Sequence, residues 1–294
     1  MRFTKMHGIG NDYVYINGYE QSPPSDPAAL AELAKRISDR HFGVGSDGLI
    51  LVIPPEVGVD AHVRMRMFNA DGSEAEMCGN GIRCVCKLAY DSGVCTENPI
   101  RIQTGNGVLT LDYTLSDDGK VNMVTVDMGQ PVLDLPGIGV IESQLSELVE
   151  DTEDSMIFVG MGNPHAVDMI DEDDIDPTIY PHSDSAWAAL GEAIEHHPAF
   201  PSRINYHHVV IHSPTRVTVR HWERGSGATL ACGTGACAVC VAGVLTGRTD
   251  RQITAHLPGG DLQLEWREAD AAEGGNHVFM TGPATTVFEG EWLL

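Results

Sequence analysis

Two cysteines stand where a pair of acid–base groups would. Cys78 opens the element Cys78-Gly79-Asn80-Gly81, and Cys232 opens Cys232-Gly233-Thr234-Gly235, 154 positions further along. Glycines let an anion approach backbone N–H groups closely, and the start of a helix carries partial positive charge, which also favours a thiolate. Each motif is therefore half of an anion site beside a thiol. Two such halves flanking one substrate would suit proton exchange at a stereocentre, with one thiol on each face.

The elements that must position these thiols are duplicated as well. Gly8-Ile9-Gly10-Asn11 returns as Gly160-Met161-Gly162-Asn163, Asn69 is matched by Glu223, Asn106-Gly107 by Gly259-Gly260, and Gly129 by Gly282, all at offsets near 150. Such a period is far longer than a solenoid repeat, so each copy is a domain. A chain of 294 residues with 42% hydrophobic content can fill two cores. Alternating, β-branched segments over 63–68, 108–113, 121–128, 209–211, 216–222 and 262–266 predict half-buried strands. Each cysteine motif opens a helix that Gly93 or Gly247 ends, and a further helix is predicted over residues 27–38. The expected fold class is α+β. It comprises two pseudo-symmetric domains, each a mostly antiparallel or mixed sheet wrapped around a central helix, with the active site in the cleft between them.

Charge and cysteine usage narrow the function. The net charge of -24 argues against nucleic acid as a partner. Lys5, Lys35, Lys87 and Lys120 are the only lysines among 18 basic residues, and this acidic, lysine-poor balance reads as adaptation to high salt. The segments 150–154 and 168–176 then read as solvated faces. No stretch reaches the roughly 18 apolar residues needed to span a bilayer, and no apolar signal core is present, so a cytoplasmic location is expected. Seven cysteines are an odd number and predict free thiols.

At this point the motifs resemble a known family. Residues 3–13, 68–74, 77–81, 161–165, 203–205, 223–225 and 231–237, which include Asn69, Asn163-Pro164-His165, Asn205, Glu223-Arg224 and both cysteine elements, resemble diaminopimelate epimerase across nearly the whole chain. The resemblance implies an isomerase of lysine biosynthesis that interconverts LL- and meso-diaminopimelate without pyridoxal phosphate or any other cofactor, and that is a homodimer. One of Cys78 and Cys232, as thiolate, would remove the α-proton while the other, as thiol, delivers one to the opposite face. Backbone donors at Gly79, Asn80, Gly233 and Thr234 would stabilise the carbanion through the carboxylate. Asn11, Asn69, Asn163 and Asn205 would bind polar groups of the substrate, Arg224 its distal carboxylate and Glu223 its distal ammonium. The resemblance also implies that the last strand of each repeat crosses over, which gives domains at 1–120 with 281–294, and at 121–280.

Some residues depart from the pattern or suggest rivals. Tyr13 stands where phenylalanine is common, Thr234 where serine is, and Gly48 where some members place a substrate-binding glutamine. The stretches 139–154 and 171–198 match poorly and are assigned to the surface. Cys84, Cys86, Cys237 and Cys240, with His207 and His208, have zinc-like spacing, but Cys86 and Cys240 are repeat equivalents expected in separate cores, so no metal is expected. A proline racemase-like enzyme would share the cysteine pair; Glu223-Arg224 favours a substrate with a second zwitterionic end.

Overall fold

The computed structural model describes residues 1–145, 148, 156–175, 184–269 and 275–293. It divides into two compact units, Met1–Asp127 with Thr281–Leu294, and Met128–Met280. The first boundary lies seven residues later than the expected 120/121, because strand β8 (Val121–Asp127) stays with the first unit. It pairs antiparallel with β7 (Gly107–Leu115), and Lys87 Nζ–H donates to Val121 O at 2.7 Å.

In the first unit β1 (Arg2–Gly8) and β2 (Asn11–Asn17) form a hairpin, β2 runs parallel to β3 (Gly48–Ile53), and β3 pairs antiparallel with β4 (Val63–Asn69). β4 continues antiparallel to β5 (Glu74–Ala75) and parallel to β6 (Ile100–Thr104), which pairs antiparallel with β7. Residues of β2 and β3 are buried on both faces, so these strands read as unbroken apolar runs rather than alternations. On one face α1 (Pro27–Ser38) packs Leu30, Leu33, Ala34 and Ile37 against Val14, Ile16, Leu49 and Leu51. Its start is specified locally: Asp26 accepts a hydrogen bond from Ala29 N, and Pro27 takes the first helical position. Helix α2 (Gly79–Asp91) lies among β1, β2, β4 and β8 and is buried almost throughout.

The second unit repeats this order. β9 (Ile157–Gly160) pairs antiparallel with β10 (Pro164–Asp171), which runs parallel to β11 (Asn205–Ser213). β11 pairs antiparallel with β12 (Arg216–Glu223), and β12 pairs antiparallel with β13 (Gly227–Thr229) and parallel with β14 (Gln252–Leu257). β14 closes antiparallel on β15 (Gly260–Trp266). After the short turn α3 (Leu135–Ile138), helix α4 (Asp184–Glu195) covers one face with Trp187 and Ile194, which pack with Ala166, Phe200, Ile204 and Tyr206. Helix α5 (Gly233–Leu245) carries no polar stripe and is buried nearly all round, as a helix enclosed by strands must be.

The acidic segments need correction. Residues 150–154 lie outside the described residues. Asp168 is not on a solvated face: its Oδ2 accepts from Tyr206 Oη and pairs with His208 Nδ1, both at 3.0 Å. The stretch 171–198 likewise contributes Trp187 to the core and buries Glu195, since α4 must bury one face to stay folded.

Candidate active site

Each cysteine of the pair occupies the N-cap of its helix, in extended backbone conformation. The thiol therefore takes the place where serine or aspartate usually caps, at the positive end of the helix. In the first unit Gly81 N–H donates to Cys78 Sγ at 3.3 Å, and the thiol donates to Asn11 Oδ1 at 3.2 Å. The other end of the Asn11 amide is fixed, because Nδ2–H donates to Asp47 Oδ2 at 2.7 Å. Asp47 is itself held by Arg40 at 2.8 Å, which bridges to Asp12, and Asp12 pairs with Lys5. Burial first and Cys78 next push the Tyr13 phenol well above its ordinary value, so a neutral hydroxyl lies beside the thiol.

Gly79 and Asn80 form the first turn of α2, and both are buried. Gly81 is closely packed: a Cβ there would lie 2.8 Å from Ile50 Cδ1, the end of a side chain that would have to shift. Asn69 folds its own turn, with Nδ2–H on Ser73 Oγ at 3.0 Å and its backbone N–H on Ser73 O at 2.8 Å. Its turn role is thus realised in full.

In the second unit Cys232 is buried, with Thr234 Oγ1 3.6 Å from its sulfur. The expectation that the helix start lowers this thiol fails. Burial first, and then the Glu223 carboxylate, push Cys232 well above its ordinary value, and the Thr234 hydroxyl does not offset them. Glu223 accepts from Thr229 Oγ1 at 2.6 Å. Arg224 is exposed rather than buried; its Nη1–H donates to Ser202 O at 3.1 Å. Asn205 is a brace, with Nδ2–H on Pro164 O at 2.8 Å and Oδ1 accepting Arg224 N–H at 3.1 Å. Asn163 Oδ1 lies 2.8 Å from His165 Nε2. Gly233 and Thr234 form the first turn of α5, Thr234 being the less buried.

The structure thus gathers Asn11, Cys78, Gly79 and Asn80 around one helix start, and Glu223, Cys232, Gly233 and Thr234 around the other. Several supporting residues escaped the sequence reading. Buried Glu195 accepts from Trp222 Nε1 at 2.8 Å, Gly225 N at 2.9 Å and Arg203 Nη1 at 3.1 Å, and so shapes the loop carrying Glu223-Arg224. Burial would raise this carboxyl, but those three donors lower it. Cys86 and Cys240 sit in the cores of their own units, where burial pushes both thiols up, Cys240 to about 12.

The family model described as diaminopimelate epimerase matches residues 3–133 and 157–287, which is both repeats. A diaminopimelate epimerase of Acetivibrio thermocellus is 49% identical over 99% of this chain and 98% of its own length, and one of Methanococcus maripaludis (strain C5) is 46% identical over 99% of each. Among solved structures, a phenazine biosynthesis protein of the PhzF family from Bacillus anthracis superposes with a TM-score of 0.68 at 15% identity, covering 100% of this chain and 99% of its own. A probable proline racemase from Agrobacterium radiobacter K84 superposes at 0.63 and 16% identity, covering 100% and 93%. At such identities these two show the fold alone. The match across both repeats and the full-length relatives place the chain in the diaminopimelate epimerase family.

Proposed function

We propose that this protein epimerises LL-2,6-diaminopimelate to meso-diaminopimelate, a step of lysine biosynthesis, with Cys78 and Cys232 as the two bases. The observation that carries the reading is the placement of both thiols at equivalent helix N-caps of a duplicated fold. One thiolate takes the α-proton while the other thiol supplies a proton to the opposite face. The pair titrates together, and the direction of reaction decides which member starts ionised. Backbone N–H groups at Gly79, Asn80, Gly233 and Thr234 stabilise the charge that develops on the carboxylate more strongly than in the ground state.

Burial and Glu223 both oppose ionisation of Cys232 before substrate binds. A substrate ammonium beside Glu223 would neutralise that carboxylate and ease ionisation of Cys232, which couples binding to chemistry. Arg224 holds the distal carboxylate, and Asn11, Asn69, Asn163 and Asn205 bind or brace the polar groups around it. We assign the enzyme to the cytoplasm as a homodimer on the family resemblance, and to a high-salt milieu on the net charge of -24.

Chiral separation after incubation with LL-diaminopimelate, L-proline or trans-4-hydroxy-L-proline tests the assignment. Inversion of diaminopimelate alone is expected. Faster turnover of either cyclic amino acid would overturn the substrate while leaving the two-thiol chemistry in place.

A further inference from the structure

Three buried histidines of the second unit form an unbroken chain that ends on Asn163. Asn163 Oδ1 lies 2.8 Å from His165 Nε2, His165 Nδ1 lies 2.8 Å from His207 Nε2, and His207 Nδ1 lies 2.7 Å from His221 Nδ1. None of the three rings is more than 1% exposed, and His221 Nε2 has no hydrogen-bond partner among the described residues. The ring of His207 is seated against the first turn of α5: a Cβ on Gly235 would lie 2.4 Å from His207 Cε1. The first unit has apolar Ile50 against the equivalent Gly81, so the polar chain belongs to the second unit only. The two-thiol chemistry makes no use of His207 or His221.

Each link of this chain needs one proton, and that requirement ties the three rings together. Burial keeps the imidazoles neutral, with His165 and His221 lowered to about 3. Only two neutral arrangements then satisfy all links. In the first, His221 Nδ1–H donates to His207, His207 Nε2–H donates to His165, and His165 Nε2–H donates to Asn163 Oδ1. His221 Nε2 is left as a bare lone pair. In the second, every donor and acceptor is exchanged: Asn163 Nδ2–H donates into the chain, and His221 carries a buried Nε2–H with nothing to receive it. An orphaned buried donor is the rarer and costlier of the two defects, so the first arrangement holds.

We propose that His207 and His221 are positioning residues which, through His165, lock the Asn163 amide with its oxygen inward and its N–H donors toward the substrate. Asn163 then selects an acceptor, a carboxylate rather than an ammonium. The selection rests on the reading of Asn163 as a substrate residue; the lock does not.

Long-range nitrogen–proton correlation spectra of the intact, 15N-histidine-labelled protein test the lock without substrate, with the three rings assigned by single substitution. The expected protons are on Nε2 of His165, Nε2 of His207 and Nδ1 of His221. The reversed pattern, or an imidazolium among the three at neutral pH, overturns it. Two variants then test its consequence. His221→Gln can still donate to His207, whereas an ionised His221→Glu can only accept, which reverses the chain and turns the Asn163 oxygen outward. We expect KM within about twofold of the parent for Gln and raised about tenfold for Glu, the loss of one good hydrogen bond, with kcat changed far less. With the His221→Glu carboxyl shown to be ionised by its infrared band, equal KM changes in the two overturn the polarity argument. The expected tautomers with an unmoved KM in both variants, the His221→Glu carboxyl being ionised, overturn Asn163 as a substrate donor, and should His221→Glu stay protonated or fail to fold, the parent spectrum alone decides the lock.

Discussion

Two cysteines that look alike in the sequence differ in what surrounds them. The repeat offset singled out Cys78 and Cys232 from seven cysteines, because only this pair begins a glycine-rich helix start in both copies. Their ionisation was not legible there. A helix start argues for a lowered thiol, but burial of Cys232 and its proximity to Glu223 reverse the sign, and both arise from tertiary packing. A direct consequence follows for Glu223→Gln. Removing the carboxylate shifts the pH midpoint of Cys232 alkylation, read by peptide mass spectrometry, to lower pH. The same change lowers kcat/KM for diaminopimelate about 10- to 100-fold through the lost ammonium partner. An alkylation midpoint that stays put would mean Glu223 does not act on the thiol.

At the scale of elements, the helices were the most legible part. The helix predicted over 27–38 coincides with α1, and the glycines that end the two cysteine helices, Gly93 and Gly247, both take positive φ. The strand over 209–211 proved longer, Asn205–Ser213, because Tyr-His-His reads as polar until it is known to be buried. The His207–His221 contact was within reach: a hairpin turn at Pro214-Thr215 places the two directly opposite across β11 and β12. Glu195 was missed because one carboxylate in an acidic segment carries no mark of burial. Its three donors predict the outcome of truncation. Glu195→Ala should cost about 2–4 kcal/mol in chemical denaturation, the penalty for buried donors left unpaired, and should raise KM by loosening the Glu223-Arg224 loop. Glu195→Gln, which keeps an acceptor oxygen, should lose less on both counts. A Glu195→Gln variant at parent stability and parent KM would show that the side chain merely fills space.

For the whole molecule, the duplication was visible in the sequence and recurs as the same pairing order in each unit, but the acidic segments were read too simply as surface. The buried imidazoles also set how stability depends on pH. A histidine whose folded value is depressed stays neutral while the unfolded chain takes up a proton, so stability is full above about 6.5 and falls as pH drops toward the folded value, about 3 for His165 and His221. Each such ring costs about 1.4 kcal/mol per pH unit within that window. Denaturation midpoints should therefore fall steeply between pH 6.5 and 5, before most carboxylates titrate. A flat profile there would mean the rings are not held neutral. The central claim, however, is that two thiols exchange a proton with solvent on one α-carbon. Incubating the protein with LL-diaminopimelate in heavy water, and following epimer and isotope together by mass spectrometry, tests it most directly. The account predicts meso product with one deuterium at the inverted α-carbon and loss of inversion in both Cys78→Ala and Cys232→Ala; inversion without label, or at the parent rate in either variant, would contradict it.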